Sequence, residues 1–60
     1  MKTIVVELPN HEAWALAEFL KRVGIDDYRT LAASREEAYG MQDAGEKVRA
    51  ALAEQGIAPR

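Results

Sequence analysis

His11, Asp26, Asp27 and Ser34 are the side chains best suited to chemistry in this chain, and their spacing decides against each in turn. His11 is the sole histidine and cysteine is absent, whereas a zinc site needs three or four ligands drawn largely from those two residue types. The pair His11-Glu12 lacks the second histidine of H-E-x-x-H. Asp26-Asp27 supplies two carboxylates, the pairing used for general acid–base work. Adjacent side chains diverge in direction, however, and their place at a helix start fits capping and dipole stabilisation better. Ser34 has no His–Asp arrangement to activate it and suits a helix cap instead. The glycines make no G-x-x-x-x-G-K phosphate loop. A chain of 60 residues also has little room for a sheltered ligand pocket. The sequence therefore reads as non-enzymatic, with no cofactor and no metal site.

The elements that position these residues follow from pattern and punctuation. Lys2-Thr3-Ile4-Val5-Val6-Glu7-Leu8 is rich in β-branched residues and reads as a β-strand ended by Pro9. Asn10 is the expected N-cap of a first helix over residues 11–23, with Gly24 as its C′ residue. Ala13, Leu16, Ala17, Leu20 and Val23 share one side of that helix, with Phe19 at its edge. Trp14 falls between Lys21 and Glu18, off the apolar stripe. In the connector, Asp26 is placed to cap a short helix over residues 27–32 that buries Tyr28 and Leu31. Ser34 and Glu37 form the S-x-x-E capping box of a second main helix over residues 35–55. Gly56 stands at C′, Ile57 at C″ facing Leu52, and Pro59 blocks resumption, the pattern of a Schellman ending. Gly45 lies on the apolar face of this helix, which implies that a bulky ring or another backbone comes close there.

Size and composition point to self-association. A domain of 60 residues buries only ~60% of its unfolded surface and is marginal alone. Without cysteine no disulfide staples it. A lone strand leaves a row of backbone donors and acceptors without partners. The expected fold is therefore α+β, a β-α-α chain forming one domain over residues 1–60, with strands pairing across a homodimer. Ile4, Val6 and Leu8 form the inward face of that ribbon. The large apolar side chains, among them Leu16, Phe19, Leu20, Tyr28, Leu31, Met41, Val48 and Leu52, are expected to fill the core. The net charge of −2 argues against non-specific binding to nucleic acid or anionic membrane. No stretch approaches the ~20 apolar residues of a membrane span, and no signal peptide is recognisable, so a cytoplasmic location is expected.

Strand, Leu8-Pro9 and helix in quick succession resemble the start of the ribbon-helix-helix family of DNA-binding regulators, over about the first 24 residues. That resemblance implies paired strands entering the major groove, with Lys2, Thr3 and Val5 facing the bases. Glu7 departs from the family's polar and basic readers, and the segment 25–33 and the long last helix depart from its second half. The whole chain also resembles a family of short uncharacterised proteins found in proteobacteria and their phages, through the segments ALAEFLKRVG, DDYRTLA, EEAY and KVRAALAEQGIAPR. Tiny, acidic, cysteine-free proteins of this kind include phage-encoded inhibitors such as anti-CRISPR proteins.

Two functions are thus expected from the sequence. One is a small non-catalytic regulator or inhibitor that binds another protein as a homodimer, through Trp14, Tyr39, Asp43 and Glu46. Trp and Tyr dominate binding hot spots, and these two project from largely polar helix faces. The alternative is a ribbon-helix-helix-type DNA-binding repressor.

Overall fold

Local chemistry at its two ends fixes the longest element. In a computed structural model that describes residues 1–60, this helix, Arg35–Glu54, is the third of three. The Ser34 hydroxyl accepts a hydrogen bond from the Glu37 N–H at 3.1 Å. The Glu37 carboxylate reaches back to the Ala33 N–H at 3.0 Å, one residue earlier than the usual capping box. At the other end the Gly56 N–H donates to the Ala53 carbonyl at 2.9 Å and the Ile57 N–H to the Leu52 carbonyl at 3.0 Å. Gly56 adopts φ +82°, so the Schellman ending expected from Gly56 and Ile57 is formed. The helices are named α1 (Asn10–Arg22), α2 (Ile25–Leu31) and α3 (Arg35–Glu54) in chain order.

The start of α1 differs from expectation. Pro9 is the N-cap, and its carbonyl accepts from the Glu12 and Ala13 N–H groups at 3.0 Å each, so Asn10 is already the first helical residue. Val23 ends the helix in extended conformation. Gly24, at φ −112°, makes no left-handed turn and serves as the N-cap of α2 instead. Asp27, not Asp26, completes that cap, its carboxylate accepting from the Gly24 N–H at 2.8 Å. The connector is thus a helix in its own right, begun two residues earlier than its charges suggest.

The expected α+β fold is overturned. The chain is all-helical and contains no β-strand, so the β-α-α reading and its ribbon of Ile4, Val6 and Leu8 do not hold. The physical reason is the partner problem itself. β-Branched composition favours extended backbone over residues 1–8, but a strand is defined by its ladder, and this chain supplies no second one. No hydrogen bond or ion pair ties residues 1–8 to the rest of the chain. The period-2 alternation survives in another form, because Ile4, Val6 and Leu8 all face a groove that Leu16, Val48 and Leu52 also line.

α3 is the spine, and both α1 and α2 pack on it. Its buried stripe is made of small residues. Ala38 is fully buried, and opposite it α1 contributes Ala13, Ala17 and Leu20, the remainder of the buried set. The expected core of large side chains is therefore corrected: Leu20 alone among them is buried. Leu16, Tyr28, Met41 and Leu52 are half-covered, while Phe19, Leu31 and Val48 are exposed. Small side chains let helix axes approach closely but leave the large ones at the rim of each contact. At Gly45 the sequence expectation holds. A Cβ there would meet the Tyr28 hydroxyl, with the ring carbon Cζ at 3.5 Å and Leu20 Cδ2 at 3.4 Å. The ring of α2 thus sits directly over the backbone of α3.

The two glycines inside α3 should respond in opposite ways to alanine. Nothing lies within 4 Å of a Cβ at Gly40. Gly40→Ala should gain about 0.5–1 kcal/mol from helix propensity and raise the melting temperature by several degrees. Gly45→Ala should lower it, and adding Tyr28→Phe, which removes the obstructing hydroxyl, should restore it. Thermal denaturation of the three variants checks this; a Gly45→Ala change as benign as Gly40→Ala would contradict the α2–α3 packing.

Candidate functional site

The functional residues expected from sequence fall on two elements. Tyr39, Asp43 and Glu46, at i, i+4 and i+7, share one face of α3, and all three are exposed. Glu46 lies 3.9 Å from Arg49 one turn on, and Lys47 follows Asp43 by one turn, so the carboxylates of this face have cationic neighbours. α3 leaves this face exposed because the stripe it commits to α1 and α2, Ala38 and Gly45, lies roughly 120° round the helix at ~100° per residue. Trp14 comes from α1, 43% exposed, one turn before Glu18. Glu18 in turn holds Arg22 at 2.8 Å. The structure therefore unites Tyr39, Asp43 and Glu46 on one surface and supplies Trp14 from another helix. Lys2, Thr3 and Val5, the base readers implied by the ribbon-helix-helix resemblance, lie in the extended segment, and no paired strand presents them.

Two apolar grooves were not foreseen from the sequence. The larger, about 740 Å³, opens where α1 and α2 diverge from their common spine. Phe19, Tyr28 and Leu31 form its walls and Met41 its floor, with Glu18 and Arg22 at its edge. The smaller, about 400 Å³, lies between the N-terminal segment and the α1–α3 pair. Its lining is apolar except for Gln55 and carries no charged residue. Periodicity marks Phe19 only as the edge of a stripe. That α1 and α2 leave a gap beside it depends on the short Val23-Gly24 turn between them, which no periodicity reports.

The chemically capable side chains remain dispersed. His11 is exposed, and the carboxylate nearest it is that of Glu12, at 3.8 Å. No three His, Asp or Glu side chains converge. Asp26 lies 3.8 Å from Arg29, and Ser34 is engaged as a cap. No helix is long and apolar enough to cross a membrane.

The chain belongs to DUF7706, a family of unknown function whose model matches residues 1–60. This fits the expectation of a family without an assigned activity. No curated protein and no solved structure matches the chain.

Trp14, the sole tryptophan, gives a direct readout of its own surroundings on α1. Being 43% exposed, it should be open to acrylamide quenching in the free protein. Coverage by a bound protein should reduce the quenching constant and shift emission to the blue. Unchanged quenching in a verified complex would remove Trp14 from the binding surface.

Proposed function

We propose that this chain is a non-catalytic protein-binding module, a small regulator or inhibitor that acts as a homodimer. The observation that carries the reading is the disproportion between buried and exposed apolar side chains. Three alanines and one leucine are buried, while Ile4 and Leu31 are each 81% exposed, Val5 88% and Phe19 57%. Monomeric soluble proteins seldom leave large contiguous apolar patches in water, and patches of that kind mark interaction sites. Tyr39, Asp43 and Glu46 add an acidic face with an aromatic anchor, and acidic faces steer association with basic surfaces. A nucleic-acid-binding protein is one class of partner with such a surface. The small size and the acidic, cysteine-free composition match those of phage-encoded inhibitors, which is what supports the inhibitor variant of the reading.

Capture experiments with tagged protein test the assignment. Tyr39→Ala and Trp14→Ala should each weaken retention of the bound partner by roughly tenfold or more, the scale on which aromatic hot spots act. Both variants should keep the wild-type helical content, since both side chains are exposed. Wild-type retention by both would overturn the assignment of this surface.

A further inference from the structure

The molecule measures 33 × 28 × 15 Å. That short dimension, taken over Cα positions, accommodates helices packed on one another at ~8–10 Å, yet only four residues are buried. The accessible surface reports the same deficit. It is 5106 Å² for a chain of 6.7 kDa, where a compact protein of that mass exposes about 3,900 Å². The radius of gyration is 12.2 Å, against about 10 Å for a compact chain of this length. An excess of roughly 1,200 Å² on each of two chains is about 2,400 Å² in total, within the range of obligate homodimers.

We infer that a second copy of this chain seats on the uncharged face formed by Ile4, Val6 and Leu8 with Leu16, Val48 and Leu52, and supplies the burial that one copy lacks. This deepens the dimer reading given above and rests on it. Three observations select this face over the wider groove between α1 and α2. Its lining has no charged residue, as suits an obligate interface that resembles a domain core cut in two. The wider groove is edged by Glu18, Arg22 and Asp27. The segment carrying Ile4, Val6 and Leu8 is held by no hydrogen bond, and although these side chains line the groove, Ile4 remains 81% and Val6 66% exposed in the single chain. Lastly, Val48, Ala51 and Gln55 lie on nearly the opposite side of α3 from Tyr39, Asp43 and Glu46, about 150° away at ~100° per residue. A dimer closed on this face therefore leaves both acidic aromatic faces outward.

Ile4 and Leu31 make a matched pair for the test, because each is 81% exposed in the single chain and a glutamate at either costs its own fold little. The two-fold symmetry of a homodimer makes every substitution count twice. Solution mass by light scattering over a dilution series, with helical content followed by circular dichroism, should show a wild-type dimer. Ile4→Glu should raise its dissociation constant roughly 100-fold or more, from two apolar side chains lost to the interface. Leu31→Glu should leave it unchanged. A wild-type dimer that Leu31→Glu dissociates, or that Ile4→Glu does not, would overturn the choice of face while the dimer stands. A wild-type chain that stays monomeric and helical at every concentration would overturn the dimer itself, and this inference with it.

Discussion

The contact on which the rest depends is the seating of α1 and α2 on a stripe of α3 that has almost no side chain. Ala38 is fully buried against the neighbouring helices, and Gly45 carries the Tyr28 ring where a Cβ would stand. Both α1 and α2 use this spine, and the turn that joins them is only Val23-Gly24. Two helices leaving so short a turn cannot lie flush along one third helix, and so the wide groove over Met41 opens between them. The spine thus sets the flatness of the molecule, the groove, and the choice of side chains left outside.

Small residues at a helix contact carry an energetic consequence. Each gives close approach and good dispersion contact, but little apolar area leaves water, and stabilisation follows area at about 25 cal/mol per Å². With only Leu20 as a large buried side chain, one copy has a modest driving force against the conformational entropy of 60 residues. The helix ends offset part of that. The Ser34 cap, the Asp27–Gly24 bond and the Schellman closure at Gly56 each satisfy backbone groups that would otherwise be orphaned, at about 0.5–2 kcal/mol for a cap. The surface ion pairs Glu18–Arg22, Asp26–Arg29 and Glu46–Arg49 add only tenths of a kcal/mol apiece. Local order is therefore well specified while tertiary burial is thin, and the large apolar side chains remain free to act between molecules.

The same division explains what the sequence made legible. Both ends of α3 are readable because capping is local: Ser34 with Glu37, and Gly56 with Ile57, interact within one turn. The close approach at Gly45 is readable because glycine weakens a helix interior, and on an apolar face the packing of a close neighbour offsets that loss. The buried set is not, since periodicity tells which residues share a side and not how near the next helix comes. Ala13, Ala17 and Ala38 are buried because the approach is close, and Phe19 is exposed for the same reason. The N-terminal strand misled through a different gap. Ile4, Val5 and Val6 favour extended backbone, but a strand is a property of two segments, and β propensity in one says nothing about the other. Of the candidate site, the common face of Tyr39, Asp43 and Glu46 follows from helical spacing alone. The grooves do not, because they are spaces between elements.

An outward face and an uncharged face on opposite sides of one helix have a mechanical consequence. Any association that covers Val48 and Leu52 stiffens α3 along its length, and Tyr39 and Asp43 ride on that same helix. In a homodimer closed on the uncharged side, folding, dimerisation and presentation of the acidic face would become one linked equilibrium, because each copy would supply burial that the other lacks. Two outward faces on one rigid body would then meet a partner with repeated or paired sites at an effective concentration set by the dimer geometry rather than by bulk protein. A chain this small would thus obtain tight binding without a large core, because burial shared between two copies would stabilise the same helix that carries Tyr39, Asp43 and Glu46.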